Sequence, residues 1–206
     1  MIKNLSGEAG TGHARAGMPL DRALLLAVAV ALALAIVLVF LLFGVSDALL
    51  ATMRGGPFQH KVASALLIAA GGFFLVRNAA RPDGGRLPVL ALLPGVVLLA
   101  LGGVTDASGL PVLGRSGVSV PICLIAIVAV SLPALALIIA AVRKGASTRP
   151  TAAGIAAGLL SGALGAAAYA LACKNDGGLF VAVWDSVGIL IVAALGGAIG
   201  RRALAW

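Results

Sequence analysis

Uninterrupted apolar runs are the feature that most limits what this chain can become. Six stretches carry little or no charge, at roughly residues 23–43, 60–76, 87–104, 118–142, 151–172 and 179–199. A helix that crosses a bilayer needs about 20 mainly apolar residues, within a range of ~17–25. Inside lipid the backbone must satisfy its own hydrogen bonds, which a helix does within one segment. Composition points the same way: 61% of the residues are hydrophobic, 11% are charged, and the mean hydropathy is +1.13. Soluble domains run at about half apolar and about a quarter charged. The expected architecture is all-α, a polytopic membrane bundle of six transmembrane helices over residues 23–206, preceded by a polar, glycine-rich segment over 1–22. That segment is expected to be disordered when free and to order on binding. The first run is too long for a signal peptide and no small-x-small cleavage site follows it, so it reads as a retained span.

Two runs carry local complications. The second, "KVASALLIAAGGFFLV", is short, and Lys61 and Arg77 are expected to snorkel to opposite surfaces. The third contains Pro94-Gly95, expected to kink the helix without ending it.

Basic residues set the orientation, because Lys and Arg concentrate in cytoplasmic loops. Lys3, Arg15, Arg22, Arg77, Arg81, Arg86, Arg143, Lys144, Arg149, Arg201 and Arg202 fall on one side of the six runs, whereas Arg54, Lys61, Arg115 and Lys174 fall on the other. Both termini are therefore expected in the cytoplasm. The net charge of +8 follows from this topology, with basic groups facing anionic headgroups, and does not call for nucleic acid as a direct partner.

The chain has two cysteines, Cys123 in "VPICLIAIV" and Cys173 in "YALACKNDGG". The fourth and fifth runs share the short loop "RKGASTRP", which makes them antiparallel neighbours. From Arg143 back to Cys123 is about 30 Å of helix, and from Pro150 to Cys173 about 35 Å, each close to one hydrocarbon thickness. Both thiols are thus expected near the outer surface at similar depth. The fifth run also places Gly154, Gly158 and Gly162 four apart, a stripe that permits close helix approach, and Cys173 continues that side. On the fourth run Cys123 shares a face with the small Ala134, so the two helices are expected to close on each other there. A disulfide needs Cα atoms within about 7 Å, and the outer side of a bacterial inner membrane is oxidising enough to keep one. The residues themselves leave two readings open: a redox- or metal-responsive pair, or two small apolar space-fillers.

From about Val118 to Trp206 the chain resembles the NrsF-type bacterial membrane regulators, six-span anti-sigma factors acting on extracytoplasmic-function sigma factors. The resemblance is carried by a cysteine opening the fourth span, then "SLPALAL", "RKGASTRP", "AGLLSGALGAAAYALAC", "LFVAVWDSVGI" and the tail "GGAIGRRALAW", with "PFQHK" before the second span. It implies a protein of the bacterial inner membrane that holds a sigma factor away from RNA polymerase. Oxidants or heavy metals would act outside on Cys123 and Cys173, and the inner surface would release the sigma factor. No resident cofactor is implied, only a transient thiophilic metal ion. The basic inner surface, with Arg77, Arg81, Arg86, Arg143, Lys144 and Arg149, suits an acidic face of such a partner.

Other residues are candidates on chemistry alone. His60 falls on the outer side, and with Cys123, Cys173 and Asp176 it would suit a soft or borderline metal ion; otherwise it is a solvated interfacial histidine. Asp185, about two turns into the sixth run, is an intramembrane carboxylate and so a candidate for signalling. Phe180, Trp184 and Trp206 fit an aromatic belt, and Pro133 offers a hinge in the fourth helix. With two histidines in the chain, no Ser-His-Asp set, His-Glu-x-x-His motif or phosphate loop is present, so no enzyme is expected. The competing class is a small six-span transporter or channel, against which stand the single intramembrane Asp185 and the lack of an internal repeat.

Overall fold

A computed structural model describes residues 20–44, 53–81, 88–117, 119–145, 147–173 and 175–204. The described residues are helical and turn, without strands. Helix α1 spans Leu20–Phe43, α2 Gly56–Ala79, α3 Leu93–Val104, α4 Ser119–Val142, α5 Pro150–Tyr169 and α6 Gly178–Ala203. All but α3 are long and apolar enough to cross a membrane.

The third run takes a mixed form. Val89–Leu92 winds as a 3-10 turn and α3 begins at Leu93. Pro94 explains the junction: it has no N–H to donate into a preceding turn, and it is well tolerated in the first turn of a new helix. Together the two pieces reach about 26 Å, short of a ~30 Å hydrocarbon core. The segment lies against α2 at close range. A Cβ on Gly95 would sit 2.5 Å from the Ile68 amide nitrogen, and one on Gly71 2.5 Å from the Ala91 carbonyl oxygen.

Helix α5 is the centre of the bundle. In its most apolar 18-residue stretch 78% of residues are buried, against 22% in α1. Its sequence, PTAAGIAAGLLSGALGAAAY, is Ala, Gly and Ser on every side. Without a hydrophobic drive between helices in lipid, such small residues let neighbouring backbones approach and gain dispersion contact. The stripe of Gly154, Gly158 and Gly162 packs against α6, not α4 as expected from the short loop between α4 and α5. A Cβ on Gly154 would lie 2.9 Å from the Gly200 Cα, one on Gly158 2.5 Å from the Ala193 Cα, and one on Gly162 3.1 Å from the Ile189 Cα. The physical reason is pairing: α6 supplies its own Gly196 and Gly200 opposite the stripe, whereas α4 supplies bulk. Helix α4 meets α5 on another side, where Gly165 faces Ile127 and Ser131, and α2 meets it where Gly72 faces Leu160.

One end of the bundle gathers Asp21, Arg22, Arg77, Arg81, Arg143, Lys144, Arg149, Arg201 and Arg202 at helix termini. At this basic end Arg77 reaches the surface, as expected, and is 38% exposed beside an acidic partner. Its Nε and Nη2 donate to the two Asp21 carboxylate oxygens at 2.9 and 3.0 Å, and Arg81 adds a bond of 3.1 Å. Gly145, in the α4–α5 loop, lies against the Ala80 carbonyl at the end of α2. At the opposite end Phe43 and Tyr169 bring α1 and α5 together, ring centroids 5.4 Å apart. Phe180 departs from the aromatic-belt expectation: it is 1% exposed and packed inside, because it points beneath the connection that covers this end.

Candidate sensing site at the thiol-bearing end

The end opposite the basic one is closed by two chain segments, the α3–α4 and α5–α6 connections. Asp106, just beyond α3, caps the start of α6: its carboxylate accepts the Leu179 N–H at 2.8 Å and the Ser108 N–H at 2.9 Å. The Trp184 indole N–H donates to the Val112 carbonyl at 2.7 Å, which fastens the α3–α4 connection to α6. The Arg115 N–H donates to the Asn175 side-chain oxygen at 3.2 Å, joining that connection to the one between α5 and α6.

Lys61 joins α2 to the same place. Its side chain is 4% exposed, so it does not snorkel to solvent. The ammonium donates to the Asp176 carboxylate at 2.9 Å and to the Asn175 carbonyl oxygen. A buried ammonium is tolerated only when paired in this way. The reason it stays inside is distance: the α5–α6 connection comes down to meet it.

Both cysteines lie within this region, both buried and both as free thiols. Cys123, in the second turn of α4, donates its Sγ–H to Asp185 of α6 at 3.7 Å. Cys173 follows the end of α5, with its backbone N–H on the Tyr169 carbonyl at 2.9 Å and its Sγ 3.7 Å from the Asn175 carbonyl. Burial pushes the Cys173 thiol up from its ordinary value; the Lys61 ammonium opposes this, while the Asp185 and Asp176 carboxylates add to it. Charged groups of three elements thus stand around Cys173: Lys61 of α2, Asp185 of α6 and Asp176 of the α5–α6 connection.

The structure thus assembles Cys123 with Asp185, and Cys173 with Lys61, Asn175 and Asp176. His60 goes elsewhere: its imidazole packs on Gly102 of α3, and its buried Nε2 has no hydrogen-bond partner among the described residues. No three of His, Cys, Asp and Glu stand close enough to hold a metal ion among the described residues. At the basic end Arg77 and Arg81 are engaged with Asp21, and Arg143 and Lys144 are exposed at the end of α4. Arg149 precedes α5, while Arg86, Trp206 and residues 1–19 lie outside the described residues. Lys61 as a tie between elements, and Asp106 as a cap, were not singled out by sequence. A local signal existed for Asp106, since Asp-x-Ser favours the turn that binds the Ser108 amide; nothing local announced Leu179, 73 residues away.

The Asp106 cap carries a pH dependence. Its carboxyl is held at about 2, below the ordinary 3.8, first by the Leu179 amide and then by Ser108. A lowered carboxyl stabilises the folded form above the ordinary value and loses that contribution as pH falls through the lowered one. The Leu179 amide should thus stay protected from hydrogen exchange down to pH near 2, and Asp106→Ala, which removes the accepting oxygens, should expose it at pH 5. Equal protection in the variant and the native chain at pH 5 would contradict the cap.

Comparison with known proteins converges on one family. The family model described as "Negative regulator of sigma F", NrsF, matches residues 11–206. The chain belongs to the NrsF family. It is 34% identical over 155 residues to the probable anti-sigma-F factor NrsF of Azospira oryzae, covering 72% of each chain. It is also 34% identical over 161 residues to the anti-sigma-F factor NrsF of Caulobacter vibrioides, covering 74% of each. No solved structure matches. Membership in the NrsF family makes the chain a negative regulator of a sigma factor, a regulatory role and not a catalytic one.

Proposed function

We propose that this chain is an anti-sigma factor embedded in the bacterial inner membrane, which holds an extracytoplasmic-function sigma factor at its cytoplasmic surface. It releases that factor when Cys123 and Cys173 meet oxidant or thiophilic metal from outside. In this reading both termini are cytoplasmic, and the Val89–Val104 segment makes a short sixth crossing beside α2. The observation that carries the sensing part is the burial of both thiols at the end away from the basic residues, in a cluster that ties α2, α4 and α6 to the α5–α6 connection.

The chemistry is simple. A two-electron oxidant takes two electrons from the pair, both thiol protons leave, and one S–S bond forms. A thiophilic cation would instead displace both protons and bind two thiolates, with no third ligand required of His60. Either bridge fixes one spacing between the start of α4 and the segment after α5. A ligand or bond shifts an equilibrium only by preferring one of its states. Here the preference falls on the segment that Lys61 holds, and so on the outer end of α2. Helix α2 is about 36 Å long, and its other end carries Arg77 and Arg81, which hold Asp21 at the junction with the N-terminal segment.

The test is a reporter driven by the cognate sigma factor in cells that carry the full chain. The native chain should repress it and lose repression on treatment with oxidant or heavy metal. Cys123→Ser or Cys173→Ser should keep repression and abolish the response. A full response in the double Cys→Ser variant would refute sensing by the thiols. Unchanged reporter output on deletion of the chain, with altered solute uptake, would favour a transporter.

A further inference from the structure

A groove of about 280 Å³ runs between α4 and α6 toward the basic end of the bundle, lined by Leu132, Leu135, Ala136, Ile139, Ala140, Arg143 and Ile199. Its shape follows from sequence. Leu132, Ala136, Ala140 and Arg143 recur at helical spacing on one exposed face of α4, and the two alanines leave a trough where larger residues would fill it. Leu132 is 44% exposed and Ile199 42%, so the trough opens sideways from the bundle. From Leu132 to Arg143 is about 17 Å along the helix, roughly half of a ~30 Å hydrocarbon core, which is the reach of one leaflet. The trough is apolar along this length and ends on a guanidinium.

A second cation stands at the same end. Arg202 lies three residues after Ile199, on the same face of α6, and is exposed. Neither Arg143 nor Arg202 has a side-chain ion pair or hydrogen bond among the described residues, whereas Arg77 and Arg81 of α2 share Asp21. An apolar trough one leaflet deep that ends on the Arg143 guanidinium, with Arg202 exposed at the same end of α6, matches the chemistry of a phospholipid with net negative charge: chain below, phosphate above. Guanidinium binds phosphate oxygens through paired N–H donors, and basic pockets between transmembrane helices hold anionic headgroups.

We propose that this groove is a binding site for one anionic phospholipid of the leaflet on the Arg143 side. The acyl chain lies along Leu132, Ala136 and Ala140, and the phosphate sits between Arg143 and Arg202. The site rests on the membrane placement proposed above and adds a ligand to it, on the side where the sigma factor would be held.

The experiment uses the full-length chain purified in mild detergent and titrated with phosphatidylglycerol or phosphatidylcholine, with bound lipid counted by native mass spectrometry. One phosphatidylglycerol should bind, about tenfold or more in preference to phosphatidylcholine, because only the former leaves net charge for the two guanidiniums. Arg143→Gln with Arg202→Gln should equalise the two lipids. Ala136→Leu, at an exposed position, should reduce both without lowering the thermal unfolding midpoint. Equal binding of the two lipids by the native chain would overturn the site, as would a preference surviving in the double variant. A second copy of the chain seated on the groove, seen as a dimer that phosphatidylglycerol does not dissociate, would overturn it as well. Fractionation of the same cells reads the membrane placement separately: a chain found in the membrane fraction that shows no lipid preference sinks the lipid site and leaves the regulator reading intact.

Discussion

Gly158→Leu is expected to abolish the folded bundle. Even the first added carbon would lie 2.5 Å from the Ala193 Cα, and that neighbour is backbone, which cannot rotate away. From the other side, a Cβ on Gly196 would lie 2.9 Å from the Gly158 Cα. Separating α5 from α6 to make room would strip contact along the whole Gly154–Gly162 stripe. Overpacking a filled interior costs about 1–3 kcal/mol in ordinary cores and more where backbone must move, against a total stability of about 5–15 kcal/mol. Gly158→Ala should lose part of the stability, and Gly158→Leu should leave little monodisperse protein after mild detergent extraction. Gly56→Ala is the contrast, because nothing lies within 4 Å of a Cβ placed there. A Gly158→Leu chain with the native unfolding midpoint would mean that α5 and α6 do not meet on this stripe.

The second large effect is expected at Lys61, with an order that depends on burial. Asp176→Ala leaves a 4%-exposed ammonium without its carboxylate, while Lys61→Met removes the charge and keeps most of the apolar volume. Breaking a buried pair by deleting one partner costs more than replacing the charge with a hydrophobe. The Asp176 side chain is 42% exposed, so solvent screens the pair and the loss is nearer ~1–2 kcal/mol than the full buried value. Asp176→Ala should therefore destabilise more than Lys61→Met, and adding Lys61→Met to Asp176→Ala should recover part of the loss. Thermal unfolding of the four proteins closes the double-mutant cycle. If Lys61→Met proved the worse of the two, Lys61 would not be a buried cation in need of a partner. Both variants also loosen the segment bearing Cys173, so each should change how fast that thiol reacts with an added alkylating reagent.

Much of the outer layout was legible in residue order. Apolar runs marked helices at the right places, because a long uncharged run buries its backbone polar groups most simply by bonding them within one helix. The antiparallel return of α5 after α4 followed from an eight-residue loop, and it brought Cys123 and Cys173 to one end. Boundaries moved where local chemistry overrode hydropathy: α2 starts at Gly56 with Pro57 in its first turn, α5 stops at Tyr169, and Pro94 opens α3 instead of bending a longer helix.

Partner choice was not legible. The glycine stripe announced a close contact but not with which helix, since any small surface opposite would serve; Gly196 and Gly200 of α6 decided it. Lys61 looked like a residue reaching for water, because hydropathy treats every charge near a helix end alike. Only the folded α5–α6 connection, 114 residues further on, turned it inward onto Asn175 and Asp176. The same holds for Arg77 and Arg81, read as free for a partner and found on Asp21. A sequence determines by itself what each segment can tolerate, a run of apolar residues in lipid or a small residue at a crossing, because those requirements act within a few turns of helix. The assembly of helices decides which charges meet, because such pairing depends on distances between residues far apart in the chain.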